Sequence, residues 1–193
     1  MTGIIILAAG TSSRLGRPKQ TLEYNGESLL QHTSRAAVNA DLGPVVVVIG
    51  AREQEILADI KNELVATVIN KDFAEGISSS IKTGLNFLLA NHKECEDIIL
   101  MVCDQPHVDG KLLKNLRQAK IETKQPLIAC SYTETIGVPA LFDKTFFKDL
   151  LSLQGEEGGK KVLFDNFDSI ATIPFPNGFI DIDTISDYNA LIK

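Results

Sequence analysis

Cysteine is scarce in this chain: only Cys95, Cys103 and Cys130 are present, and no two of them are spaced as C-x-x-C. Three unclustered thiols argue against a disulfide framework, and small buried hydrophobes are their expected role. Long apolar runs are also missing. None reaches the roughly 20 residues that a membrane span needs, and the N-terminus has no cationic stretch leading into an apolar segment and cleavage site. These absences predict a cytoplasmic chain with no membrane partner. Positive charge is not in excess either. Lys and Arg number 19 against 25 Asp and Glu, a net charge of −6, which argues against a nucleic-acid surface. No repeat or low-complexity segment interrupts the sequence. What remains, 193 residues of which 44% are hydrophobic, suits one domain over residues 1–193 with a sizeable core.

The apolar residues fall into an alternation of two patterns. Continuous apolar runs at 4–9 and 45–49 read as buried strands, the first buried on both faces, and further strands are read at 64–69, 97–103, 126–130 and 170–173. A further strand is expected over 133–142, around a turn at Gly137-Val138-Pro139. Helical spacing marks 28–40, with Ser28 as the N-cap, then 51–60, 77–90 and 108–121. Helices at 143–153, 160–167 and 184–192 follow, the last starting at Thr184 or Asp183. Strands alternating with helices mark an α/β fold with three layers and a mostly parallel, Rossmann-like sheet. Ligands bind such sheets beyond the carboxyl ends of the strands. That rule selects residues 10–19, Gly50, 70–80, 104–107 and 181–183.

Residues 10–19 are the most distinctive of these segments. The strand ending at Ala9 opens into Gly10-Thr11-Ser12-Ser13, and Arg14, Arg17 and Lys19 follow within six positions. A small-residue loop that exposes backbone N–H groups is a natural anion cradle, and three cations can neutralise a polyphosphate. Pro18 restricts the backbone just before Lys19. The segment is neither of two familiar phosphate motifs. Gly10 and Gly16 are six apart and Arg17 comes next, unlike a P-loop, and G-x-G-x-x-G is absent.

Carboxylates end two other segments. Asp104-Gln105-Pro106 follows a strand, where an oxygen ligand suits a hard cation such as Mg²⁺, although Asp-x-Pro is also an ordinary turn. Asp181 and Asp183 lie on one side of an extended segment with Ile182 on the other. Asp183 could equally cap the last helix. Between these, 76–80 opens a helix whose N–H groups and hydroxyls could hold a base or phosphate, or could simply be a serine-rich cap. His107 reads as packing or exposure rather than as a proton carrier.

The string from Leu7 to Lys19 closely resembles L-A-A-G-x-S-x-R-[ML]-G-x-P-K, the signature of the MobA-like NTP transferases. Further segments resemble that family in the same order. They are Asn70-x-x-Phe73-x-x-Gly76-Ile77-x-x-Ser80, Asp104-Gln105-Pro106, Gly137-x-Pro139-x-Leu141-Phe142, Gly155-Glu156-x-Gly158-Gly159-Lys160, and Asp181-Ile182-Asp183-Thr184. Glu156 stands where the family usually has Asp, and Ile185-Ser186 where it has Pro-Glu. The resemblance implies a sheet of the glycosyltransferase-A and nucleotidyltransferase type and a reaction that joins a nucleotide to a phosphorylated acceptor with release of pyrophosphate. It implies that Leu7, Ala8, Ala9, Gly10, Ser12, Arg14, Lys19, Asn70, Gly76 and Ser80 bind the nucleotide. Lys19, Arg14 and Asp104 would be catalytic, and Asp104 with Asp183, rather than Asp181, would hold Mg²⁺. L-A-A-G, with Ala9 in its third position, resembles the cytidine-using branch. That implies CTP as the nucleoside triphosphate and molybdopterin as the acceptor, with a molybdoenzyme or its chaperone as a conceivable recipient. The alternatives are another nucleotide or acceptor, or a non-catalytic protein that delivers cofactor. A glycosyltransferase fits less well, because the sole Asp-x-Asp is Asp181 to Asp183, near the C-terminus.

Overall fold

The computed structural model describes residues 1–12 and 15–192. Its main sheet starts with β1 (Thr2–Ala8), whose seven residues are all buried, as its unbroken apolar run requires. A two-stranded hairpin follows, β2 (Glu23–Tyr24) and β3 (Glu27–Ser28). Next come α1 (Leu29–Asn39), β4 (Val45–Ile49), α2 (Glu53–Ile60), β5 (Ala66–Ile69) and α3 (Ile77–Asn91). The second half has β6 (Asp97–Val102), α4 (Gly110–Thr123), β7 (Leu127–Tyr132), β8 (Thr135–Asp143), α5 (Phe147–Ser152), α6 (Gly159–Asp165), β9 (Ile170–Pro174) and α7 (Ile185–Leu191).

The described residues form a seven-stranded sheet in the order β5-β4-β1-β6-β8-β7-β9. All its pairings are parallel except those of β8, which lies antiparallel between β6 and β7. The expected α/β class with a mostly parallel sheet is therefore the observed one. Two apolar layers cover the sheet. Ile4, Ile6, Val47 and Ile99 face α1 and α4, while Ile5, Val46, Val48 and Leu100 face α3, α5 and α6. Gly84 lets α3 come close to the sheet. A Cβ there would stand 2.7 Å from Ile5 Cγ2 and 2.8 Å from Val48 Cγ2.

The helix ends show why local sequence succeeded or slipped. Ser28 accepts from the Gln31 backbone N–H while Gln31 accepts from that of Ser28, a capping box. Such a cap stabilises a helix by roughly 1 kcal/mol. Two expected starts move. The helix expected at 108 begins at Gly110, because Asp109 caps it through Leu112 N–H at 2.7 Å. The last helix begins after Thr184, which accepts from Asp187 N–H, so Thr184 and not Asp183 is its cap. The expected turn inside 133–142 is absent. β8 runs on through Gly137-Val138-Pro139, and the register slips there only opposite Ala129/Cys130.

β1 lies between β4, the next strand of the main sheet along the chain, and β6, which comes only after α2, β5 and α3. The chain thus leaves β1 to one side and returns to the other. The crevice beyond the carboxyl ends of β1 and β6 is the switch point at which such sheets take ligands.

Candidate active site

The loop after β1 is held from behind by one buried side chain. Gln20 is 1% exposed. Its amide donates to Ala8 O at 2.7 Å and Gly10 O at 3.1 Å. Ser12 Oγ donates to the Gln20 carbonyl oxygen at 3.4 Å and accepts from Lys19 N at 3.0 Å. Every polar atom of the Gln20 amide is thereby used, and the two ends of the loop, 8–12 and 19–20, are tied together. A fully bonded buried amide fixes geometry, because any displacement leaves a polar group unpaired.

Lys19 then projects into the crevice. Its ammonium pairs with Asp104 Oδ2 on one side and lies 3.1 Å from Asp183 Oδ1 on the other. Burial lowers the lysine pKa, but the Asp104 charge and the hydrogen bonds to both carboxylates outweigh it, and the net shift is upward. The ammonium is therefore firmly charged. Asp104 Oδ1 is buried and has no hydrogen-bond partner among the described residues.

The two carboxylates arrive from segments 79 positions apart, laced together by backbone and side-chain bonds. Ile182 N–H donates to Asp104 O at 3.1 Å. The Gln105 amide donates to Gly178 O at 2.9 Å. Ile182 is fully buried, in a small apolar cluster with Leu15, Leu22 and Leu29. That cluster joins the loop after β1, the start of α1 and the Asp183 segment into one unit. His32 of α1 braces it further. Its Nδ1 lies 2.9 Å from Glu27 Oε1 and its Nε2 3.0 Å from Pro106 O. Asp181 stands beside Asp104. Burial first, and the Asp104 charge second, push its carboxyl up to about 6.

The far wall of the crevice comes from the start of α3. Gly76 has φ 103°, open to glycine and strained for other residues. It also has no room for a Cβ, which would run into the Gly155 carbonyl. Gly155 O in turn accepts from Ser78 N–H at 3.1 Å. This contact lays the Gly155–Gly158 stretch across the helix start and brings Glu156 into the lining. The resulting cleft, about 420 Å³, runs from Leu7, Ala9 and Phe73 to Lys19, Asp104 and Glu156. One end is apolar and the other charged.

The sequence pattern of the MobA-like NTP transferase domain matches residues 4–170. The chain belongs to the MobA-like NTP transferase family. Over 128 residues it is 33% identical to the protein of Paenarthrobacter nicotinovorans named nicotine blue oxidoreductase, covering 64% of this chain and 60% of that one. Over 118 residues it is 31% identical to a molybdenum cofactor guanylyltransferase of Pseudomonas fluorescens, covering 60% of this chain and 54% of that one. The chain thus spans a little over half the length of these curated relatives. Rv0371c of Mycobacterium tuberculosis superposes with a TM-score of 0.85 at 27% identity, over 98% of this chain and 96% of that one. The same protein is also known as a complex with manganese, which superposes with a TM-score of 0.81 at 25% identity, over 98% and 97% of the two chains.

In this MobA-like chain, the residues singled out by sequence divide by position. Leu7, Ala9, Gly10, Lys19, Gly76, Ser80 and Asp104 line the cleft. Ala8 and Ser12 act from behind it, as acceptors for Gln20 and Lys19 N. Asn70 also stands behind the wall. It is 2% exposed, donates to Ser79 Oγ and Ser80 Oγ, and accepts from Asp72 N–H. Its amide is spent inside the protein, so it braces the wall rather than meeting a ligand directly. The N–H groups of Ser78 and Ser79 are likewise occupied, by Gly155 O and Gly76 O. The α3 start therefore does not offer these two N–H groups as an anion cradle. Arg14 lies outside the described residues. His107 is half-buried. Gln20 and His32 carry no signal in the sequence, and Gln105 is legible there only as part of the Asp104-Gln105-Pro106 segment. Gln20 does adjoin Lys19, but nothing in spacing announces that a polar residue will be buried.

Proposed function

We propose that this MobA-like chain is, over residues 1–193, a metal-dependent nucleotidyltransferase that moves CMP from CTP to the phosphate of molybdopterin. The observation that carries the reading is the Lys19 ammonium held between Asp104 and Asp183 at the switch point of the sheet. A fixed positive charge at the mouth of the sheet, with an apolar recess beside it, matches a nucleoside triphosphate in both halves: base in the recess, phosphates at the charge.

In the reaction, a phosphate oxygen of the acceptor forms a bond to the α-phosphorus of the nucleotide. The bond from that phosphorus to the β-phosphate bridging oxygen breaks, and pyrophosphate leaves with the electron pair. The acceptor phosphate is already ionised at neutral pH, so the protein needs no strong general base. Its work is positioning and charge neutralisation. Gly10 and the adjoining loop receive the phosphates, with Arg14 as an additional cation. Lys19, kept charged by its partners, offsets negative charge as it moves to the leaving group. Leu7, Ala9, Gly76 and Ser80 border the nucleoside, while Ala8, Ser12 and Asn70 hold those walls in place.

The carboxylates fit a divalent cation. Asp104 has a buried oxygen without a hydrogen-bond partner among the described residues, and two carboxylates from separate segments form the hard-oxygen set that Mg²⁺ or Mn²⁺ takes. Asp104 and Asp183 would hold the cation, which when bound supplies further neutralisation of phosphate charge.

The nucleotide is CTP on the strength of the Leu7-Ala8-Ala9-Gly10 string, which resembles that of the cytidine-using branch. A guanosine-using reading is favoured by the 31% identity to a molybdenum cofactor guanylyltransferase. A screen of CTP, GTP, ATP and UTP with molybdopterin and Mg²⁺, scored by pyrophosphate release, decides between them. Release with CTP is expected. Preference for GTP moves the assignment to the second reading. No release with any of the four overturns transfer to this acceptor.

A further inference from the structure

Resting on the reading that the cleft holds a nucleoside triphosphate, we propose that Phe73 is the residue that selects the base, and that Ala9 and Gly50 act by setting where it stands. Ala9 is only 5% exposed, so little of its methyl group is left for a ligand to touch. What the methyl does face is Gly50, at the end of β4. A Cβ built on Gly50 would stand 2.7 Å from Phe73 Cβ and 2.8 Å from both Ala9 Cβ and Ala9 O. Ala9 and Phe73 thus flank the bare face of Gly50, and that face has no space for even one more carbon. Phe73 is half-buried, lines the cleft, and packs against the same apolar layer as Ala9. Of these three residues it is the one with substantial surface to offer an aromatic base. A planar ring gives sequence-tolerant stacking, but its position fixes how wide a base can lie against it.

The position is braced by hydrogen bonds. Phe73 opens a short turn, Phe73–Glu75, that is closed by Glu75 N–H donating to Asp72 O at 2.9 Å. Asp72 N–H donates to Asn70 Oδ1 at 3.0 Å, and the Asn70 amide donates to Ser79 and Ser80 of α3. The buried, fully bonded Asn70 therefore ties the Phe73 turn to the helix behind it. A wall held this way discriminates by overlap instead of adapting, which is how a volume-limited pocket separates a pyrimidine from a purine.

The test is a double-mutant cycle on selectivity. Dissociation constants for CTP and GTP are measured calorimetrically, with Mg²⁺ present, on the full chain. The proteins are wild type, Ala9→Gly, Phe73→Leu and the combination. Phe73→Leu should change the CTP-to-GTP ratio by roughly tenfold, the scale of pocket-volume discrimination. Ala9→Gly should change it in the wild type but by less than about threefold once Phe73 is Leu, because coupled residues do not add. Gly50→Ala, whose new methyl must push Phe73 or Ala9 towards the cleft, should weaken GTP more than CTP. Phe73→Leu that weakens both nucleotides equally would make Phe73 a structural residue only and overturn the proposal. So would independent, additive effects of Ala9 and Phe73. Wild type that binds no nucleotide sinks the transferase reading itself, whereas unchanged selectivity in the variants sinks only the assignment to Phe73.

Discussion

Strand β6 carries the same ionic arrangement at both ends, a lysine between two aspartates. At its start, Lys120 lies 2.8 Å from Asp97 and 2.6 Å from Asp143. Just past its end, Lys19 joins Asp104 and Asp183. The lysines are equally sheltered, with side chains 17% and 18% exposed. The carboxylates differ. Asp97 and Asp143 are 3% and 21% exposed, against 13% and 41% for Asp104 and Asp183. Lys120 comes from α4, a helix packed on the sheet, and bridges two paired strands that were already neighbours. Lys19 comes from a loop and meets a loop and a C-terminal segment. One trio closes the base of the sheet, and the other stands in a cleft at the switch point. Identical chemistry thus becomes a fastening or a candidate site according to which end of the strand holds it and what can reach it.

Substituting the β6 aspartates should separate the two trios most sharply. Asp104→Asn is expected to lower kcat by roughly 100-fold or more, and also to cost stability, because Lys19 is as sheltered as Lys120 and loses a partner. Asp97→Asn should cost about 3 kcal/mol of stability or less by leaving Lys120 under-paired, with kcat of the folded enzyme unchanged. Thermal melts and steady-state kinetics on both variants decide it. Equal inactivation by the two, at a temperature where both are folded, would break the comparison.

The lysines come next. Lys19→Ala should lower kcat by about 100-fold, near 3 kcal/mol of transition-state stabilisation, and raise KM much less. Lys120→Ala should leave kcat alone and lower the melting temperature. A raised KM with normal kcat in Lys19→Ala would make that ammonium a ground-state anchor. Excess chelator should stop turnover, and Mg²⁺ or Mn²⁺ should restore it. Turnover that persists in chelator would refute the cation assignment.

The smallest effect is in pH dependence, where the two ends should have opposite signs. Burial pushes Asp143 upward, but hydrogen bonds from Lys120 and Thr145 outweigh it and hold its carboxyl below the ordinary value. Its contribution is present above the unfolded pKa, about 4, and is lost as pH falls through the lowered value. Asp181 is raised to about 6 by burial and by the Asp104 charge. Its contribution is present below about 4 and is lost as pH rises to about 6. Asp181 still presents surface to solvent although its neighbours crowd the carboxyl, so its share should stay well under about 1 kcal/mol. Melting curves from pH 3 to 7 in chelator, on wild type, Asp143→Asn and Asp181→Asn, should show each variant flattening its own limb. A wild-type-like profile in Asp181→Asn would remove that carboxyl from the account.

The sequence determined, by itself, those features that depend on neighbours along the chain. The apolar runs of β1, β4 and β6 give the sheet because a strand buried on both faces must be apolar throughout. Ser28 capped α1 because capping needs only three residues. The segments that hold Lys19 and Asp104 were legible because they follow strands, since the carboxyl-end rule depends on element order alone, whereas Asp183 stands nine positions beyond the end of β9. Tertiary structure decided what depends on distant partners. It put Lys19 between two aspartates that the chain separates by 79 positions, buried Gln20 as the tie across the loop, and turned Asn70 inward as a brace. It also made one aspartate–lysine trio a fastening and its counterpart a candidate site. Hydrogen bonds and desolvation act over a few ångströms in space, and the sequence records distance only along the chain.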